Sequence, residues 1–233
     1  MHFTFKQFKV RHDQCGMKVG TDGVLLGAWV NVVGAKYILD VGTGTGLIAM
    51  MVAQRSKAEI NAVEIDRDAS IQAGENFRQC PWSNRIKIYN ESFQHFSHQT
   101  VLKYDVIVSN PPYFNNSLKS AVKQRSYARH DDYLSMESLV RCSASVVNTD
   151  GLLSVIIPYN QLDNLLQIAY LNDFHPGRLL KIKTVVHKNF SRCLVELRRD
   201  KDHLLQENEL LIRDHITGEF SWDYRELTGE YYL

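Results

Sequence analysis

The chain has 233 residues, enough for one large domain or a domain with an appendage. It is 44% hydrophobic and 23% charged, which sets aside wholesale disorder, collagen-like repeats and disulfide scaffolds. Net charge is +1, from 27 Lys+Arg against 26 Asp+Glu, so the average says nothing about a polyanionic partner. The distribution says more. Residues 178–201 carry eight Lys/Arg and two acids, net +6, whereas residues 202–233 carry two Arg and eight acids, net −6. Such a pair of segments makes a strong local field, or a solvated hairpin beside a solvated tail. Neither export nor membrane insertion is expected. The first eighteen residues lack an apolar core and a small-residue cleavage site, and runs such as 151–158 are too short to span a bilayer. Cys15, Cys80, Cys142 and Cys193 are scattered, with no CxxC and no His at metal-ligand spacing. Reduced thiols, no metal and a cytoplasmic setting are expected.

Strand-like and helix-like stretches alternate along most of the chain. Residues 37–41 (YILDV) are a short apolar run ending in a glycine loop, and 47–55 have helical composition. A second strand at 60–64 precedes a helix at 68–78 rich in Ala, Gln and Glu. Strands follow at 86–89 and 104–109, the latter stopped by Pro111 and Pro112. A helix at 135–147 leads to a fifth strand at 152–157. Two β-branched runs, 179–187 and 193–198, leave only 188–191 between them, too few residues for a helix. They predict an antiparallel hairpin at the sheet edge. The expected class is α/β, a seven-stranded, mostly parallel sheet with helices on both faces. An N-terminal arm (1–30) precedes one domain (31–233), with no internal repeat.

Between the first strand and first helix stands Asp40-Val-Gly-Thr-Gly-Thr-Gly46. Glycines there permit a tight turn and close backbone approach to a ligand. A dinucleotide fingerprint needs its third glycine at position 47, which is Leu47; the glycine comes one step early. Glu64 ends the second strand, eighteen positions after Gly46. An acid there can accept hydrogen bonds from both hydroxyls of a ribose. The combination resembles the Rossmann-like class I methyltransferases that use S-adenosyl-L-methionine. The resemblance implies a loop (Gly42, Gly44, Gly46) wrapped around the cofactor's methionine and ribose, with Asp40 near the methionine amino group. It also implies an adenine contact after the third strand, at Glu91, Ser92 and Phe93. That class commonly has an acid where Ser92 stands, so either Glu91 or the Ser92 hydroxyl takes the role.

Ser109-Asn-Pro-Pro-Tyr113 closes the fourth strand. Its prolines fix the backbone and leave carbonyls pointing outward. Asn110 offers an amide oxygen, Pro111 a second acceptor, Pro112 rigidity and Tyr113 a flat face. Two acceptors gripping both hydrogens of a conjugated amine let nitrogen rehybridise and expose its lone pair. Catalysis is then positioning and electrostatics, without metal or strong base. The tetrapeptide resembles the (Asp/Asn)-Pro-Pro-Tyr motif of enzymes that methylate exocyclic amines of bases or glutamine amides, and that resemblance implies that Asn110 also contacts the cofactor. Adenine, cytosine and glutamine all satisfy this geometry.

Further likeness lies in the N-terminal Phe3-Thr-Phe-Lys-Gln-Phe8 and in residues 17–29 (MKVGTDGVLLGAW). With Asp40–Gly46, 62–64, Pro81-Trp82, Ser109–Phe114 and the tail 231–233, it resembles the bacterial tRNA1(Val) (adenine-37-N(6))-methyltransferase family. The likeness spans nearly the whole chain and is densest before residue 115. It implies methyl transfer to the 6-amino group of the adenine beside the anticodon, with tRNA as partner and Thr21 at the methionine carboxylate. Residues 1–20 are net +3, with Lys6 and Lys9 among three phenylalanines. Such a segment can bind phosphate and stack unpaired bases, or cap the sheet with its rings in the core. Residues 114–132, with Lys119, Arg125 and Arg129, read as an RNA-contacting loop or an irregular solvated connection. A glutamine methyltransferase acting on a protein factor and a catalytically idle scaffold are the competing readings. A monomer is expected.

Overall fold

The computed structural model describes residues 2–15, 19–112 and 134–232. The expected roles of Tyr113, Lys119, Arg125 and Arg129 fall outside them.

The chain opens with an antiparallel hairpin of β1 (His2–Thr4) and β2 (Lys9–Arg11), followed by helix α1 (Thr21–Trp29). Strand and helix then alternate: β3 (Tyr37–Val41), α2 (Leu47–Arg55), β4 (Glu59–Val63), α3 (Arg67–Gln79) and β5 (Ile86–Tyr89). Next come α4 (Phe93–Gln99), β6 (Tyr104–Ser109), α5 (Met136–Val146), β7 (Val147–Pro158) and α6 (Leu162–Leu171). The chain closes with β8 (His175–Lys183), β9 (Arg192–Arg198), β10 (Gln206–Leu211) and α7 (Trp222–Thr228).

Strands β3 to β10 form one sheet in the order β10-β8-β9-β7-β6-β3-β4-β5. Pairings from β5 through β7 are parallel; β9 runs antiparallel to both β7 and β8. Alternate strand residues feed two separate cores, as a period-two pleat requires. Ile38, Val106, Val108 and Ile156 face α1, α2 and α3, whereas Leu39, Ile107, Val155 and Ile157 face α4, α5 and α6. Because both faces are covered, these strands read as near-continuous apolar runs.

Two expectations need correction. The sheet has eight strands, not seven, and the β8–β9 hairpin is not its edge. Strand β10 pairs in parallel outside β8, with Glu207 opposite Leu179 and Glu209 opposite Lys181. Its residues 206–209 are exposed and only Leu210 is buried, so no alternating apolar pattern marked it as a strand. The backbone ladder joins it to β8, and charge accompanies the pairing: the Lys181 ammonium lies 2.5 Å from Glu207 and 3.9 Å from Glu209, and Lys183 lies 3.7 Å from Glu209. Two lysines of the basic band thus pair with two glutamates of the acidic tail within the fold, and charge on an edge strand also discourages pairing with another sheet.

The arm packs against α3 and the C-terminal segment, with its rings in the core. Phe5 and Phe8 are 2% and 5% exposed, and the Phe5 ring stacks on Phe8 and Tyr232. Lys6 donates from its backbone to Tyr231 O and from Nζ to Gly229 O (2.6 Å), while Lys9 is exposed. Among the described residues no helix is long and apolar enough to cross a membrane, and no cluster of His, Cys, Asp and Glu is placed to hold a metal ion.

Candidate active site

Strand order reverses between β3 and β6, the place where an open α/β sheet leaves a crevice beyond its strand ends. Val41 stands opposite both Val63 and Ser109, and Val63 opposite Tyr89. The segments that begin at Gly42, Glu64, Asn90 and Asn110 therefore leave the sheet at one level and one end.

The glycine loop adopts the conformation that its composition demands. Gly42, Gly44 and Gly46 have φ of 67°, 54° and 81°, the left-handed region that side chains disfavour. Gly42 and Thr43 donate to Val63 O, and Gly44 donates to Glu64 Oε2 (2.8 Å). At Gly46 glycine is doubly required, because a Cβ would stand 2.3 Å from the Phe77 ring.

Asp40 is fully buried at the end of β3. Its Oδ2 accepts the Thr43 hydroxyl (2.6 Å) and the Ala49 N–H (3.1 Å). The latter contact supplies the acceptor that Gly46, the N-cap of α2, has no side chain to give. Its Oδ1 is buried without a hydrogen bond. Burial pushes the Asp40 carboxyl up to about 7, with the neighbouring Glu64 charge adding to the rise.

Glu64, 8% exposed, divides its two oxygens between backbone donors: Gly44 on Oε2 and Asp66 on Oε1 (2.9 Å). Each oxygen keeps a second acceptor position. Burial raises its pKa despite those bonds. Asn90, which the sequence reading passed over, fixes this corner by donating to Glu64 O (2.8 Å) and Ile65 O (3.2 Å). The site thus presents two desolvated carboxylates side by side, an environment suited to a cation and to hydroxyl donors.

After β5, Ser92 caps α4 by accepting the His95 N–H at 3.2 Å. The Glu91 carboxylate is 23% exposed, 3.8 Å from His95, and its Oε2 accepts no hydrogen bond. Phe93 is 3% exposed and belongs to the core with Leu39, Val41 and Val63. At β6, Ser109 donates its hydroxyl to Val41 O (2.8 Å), tying β6 to β3, the strand that leads into the glycine loop. Asn110 is half-buried, Pro111 buried and Pro112 exposed. Thr21 is exposed as the first residue of α1. Its neighbour Asp22 pairs with Arg192 (3.0 Å), which stands opposite Pro158 at the C-terminal end of β7. Thr21 is thereby held toward the same end of the sheet. Lys6, by contrast, is engaged with the C-terminal segment.

The methyltransferase small domain model matches residues 19–157. The chain is 44% identical over 233 residues to the tRNA1(Val) (adenine(37)-N6)-methyltransferase of Phocaeicola vulgatus, covering 100% of this chain and 97% of that one. The enzyme of the same name from Trichodesmium erythraeum is 47% identical over 213 residues, covering 90% and 89%. Among solved structures, a predicted O-methyltransferase from Agrobacterium tumefaciens superposes with a TM-score of 0.73 at 19% identity, covering 90% and 96%. Pyrococcus horikoshii TYW2, solved in complex with MeSAdo, gives 0.59 at 15% identity, covering 85% and 71%. These two likenesses show the fold. Identity at this level along the full length shows more: the chain belongs to the tRNA1(Val) (adenine(37)-N6)-methyltransferase family.

Proposed function

We propose that this chain transfers a methyl group from S-adenosyl-L-methionine to the 6-amino group of adenine 37 in tRNA1(Val). One observation carries the reading: Asp40, the glycine loop, Glu64 and Asn110 converge at the sheet's crossover point in a chain that matches that family over all of its residues. The residues fit the cofactor. The buried Asp40 Oδ1 has no hydrogen bond of its own, and open space lies beside Gly42 where a Cβ would stand. When bound, S-adenosylmethionine supplies an electrophilic methyl group on a sulfonium.

Every other role belongs to the chain. Asp40 faces the methionine ammonium and Thr21 the carboxylate. Glu64 accepts from the ribose hydroxyls with its remaining lone pairs. Glu91 takes the adenine contact, because its buried Oε2 accepts no hydrogen bond within the chain whereas the Ser92 oxygen already caps α4. Asn110 Oδ1 and the Pro111 carbonyl accept hydrogen bonds from the two amine hydrogens, so the nitrogen lone pair turns out of conjugation; as the N–C bond forms the S–C bond breaks, and one of those hydrogens leaves as a proton to solvent. Tyr113 stacks on the base. Because an anticodon loop already splays its bases, presenting the target costs a few kcal/mol at most. The substrate places the enzyme in the cytoplasm.

Incubation with methyl-labelled S-adenosylmethionine and total tRNA lacking the modification, followed by nucleoside analysis, tests this. N(6)-methyladenosine is expected. Label in another base, or only in a protein fraction, would assign a different amine.

A further inference from the structure

Helix α3 carries two side-chain amides into the interior: Gln72 is 0% exposed and Asn76 1%. Buried amides are costly unless their donors and acceptors are used. Here they are spent on two segments that the fold must bring together. Asn76 Oδ1 accepts the Arg11 N–H (2.9 Å), while its Nδ2 donates to Arg11 O (2.9 Å) and to Thr45 O (2.8 Å). Arg11 lies in the N-terminal arm; Thr45 lies between the last two glycines of the loop. One amide therefore holds both. One turn earlier, Gln72 Oε1 accepts the Gln14 N–H (3.2 Å) and Nε2 donates to Asp13 Oδ1 (3.1 Å). The arm's next residue reaches the loop itself: the Cys15 Sγ is 3.5 Å from where a Gly44 Cβ would stand.

We infer that Asn76 and Gln72 are positioning residues, which clip residues 11–15 of the arm against the glycine loop and so make the arm a wall of the cofactor site. The inference rests on the proposal that this loop holds S-adenosylmethionine. It gives the arm a task that its charge does not reveal: closing the cofactor site. Neither amide touches the cofactor. Their effect passes through the backbone of Thr45 and through the arm segment that lies on Gly44. Asparagine is specified at position 76 because its NH2 group serves two carbonyls at once, one from each segment. Aspartate has the same shape and would set a carboxylate against both.

Calorimetric titration of the full-length protein with S-adenosylhomocysteine tests the clip. Asn76→Ala and Asn76→Asp should each weaken binding about tenfold or more, as expected for two carbonyls losing their donor. The KM for S-adenosylmethionine should rise in proportion, with kcat at saturating cofactor within about threefold of wild type, because uniform binding is what is lost. Gln72→Ala, which leaves the Thr45 contact in place, should act in the same direction by about threefold. It carries the test if the Asn76 variants do not fold. Cys15 gives a second readout, being half-buried while Cys80, Cys142 and Cys193 are buried. Its reaction with an aromatic disulfide reagent should be slowed by S-adenosylhomocysteine in wild type and accelerated in Asn76→Ala. Wild-type affinity in the folded Asn76→Asp and Gln72→Ala proteins, with unchanged Cys15 reactivity, overturns the inference and leaves the cofactor reading standing. Failure of the wild-type protein itself to bind S-adenosylhomocysteine would remove both.

Discussion

Asp40 offers a quantitative prediction, because burial lifts its carboxyl to about 7 from an ordinary 3.8. Between those values the folded protein holds a proton that the unfolded chain has released, so stability falls as pH rises through that window. At 1.36 kcal/mol per unit, the ionised carboxylate costs the ligand-free fold about 4 kcal/mol by pH 8. Glu64, also raised by burial, acts with the same sign. Replacing Asp40 with Asn removes its share, so denaturant unfolding of wild type and Asp40→Asn should diverge with pH. Wild type should lose stability relative to the variant from about pH 4 to pH 7 and level off above that. A cationic ligand that meets the ionised carboxylate must first displace the proton. Affinity for S-adenosylhomocysteine should therefore rise about tenfold between pH 6 and pH 8, with nearly one proton released per binding event at the lower pH. Calorimetry in two buffers of different ionisation enthalpy counts that proton. No release near pH 6, together with pH-independent affinity, would refute the assignment of Asp40 to the cofactor's cation.

Glu64→Ala should weaken S-adenosylhomocysteine binding by about 1.5–3 kcal/mol, roughly ten- to a hundredfold, through lost charge-assisted bonds; unchanged affinity would leave Glu64 a strand terminus. Gly46→Ala forces a Cβ to within 2.3 Å of the Phe77 ring at a φ of 81°. Left-handed strain and overpacking together should cost about 2–5 kcal/mol of stability, read by thermal unfolding. Exchanging Lys181 and Lys183 together for Ser should lower stability without altering the salt dependence of tRNA binding, because both ammoniums are paired with β10. A log–log slope shallower by about 0.7–0.9 for each residue would show that they contact phosphates instead.

The central strands were legible because burial on both faces leaves an apolar run that ends at a glycine or proline signal. Residues 37–41, 86–89 and 104–109 are strands with the expected bounds. Helix α1 was hidden: seven of its nine residues are buried, two of them glycines, so it shows no amphipathic stripe. Strand β10 was hidden for the opposite reason. Its Gln-Glu-Asn-Glu run pairs with a strand some 25 residues earlier whose lysines meet its glutamates, and charge pairing across strands leaves no local signature. Asp40, Glu64 and Asn110 could be placed at one end of the sheet from sequence because each stands at or just past the end of an apolar strand. Asn90, Gln72 and Asn76 could not be read that way, since their partners are backbone groups of distant segments. The available signal was two amides at i, i+4 interrupting the Ala69, Ala73 and Phe77 stripe of α3.

The central claim is that the loop after β6 grips an adenine amine beside a cofactor held elsewhere in the site. Single-turnover methylation of unmodified tRNA1(Val) by wild type and Asn110→Ala, with the product mapped to its nucleotide, tests it most directly. The account predicts N(6)-methyladenosine at position 37 from wild type and a rate about a hundredfold lower or worse in Asn110→Ala, with S-adenosylhomocysteine affinity nearly unchanged. A variant that methylates at the wild-type rate, or that loses cofactor binding in proportion to rate, would contradict it.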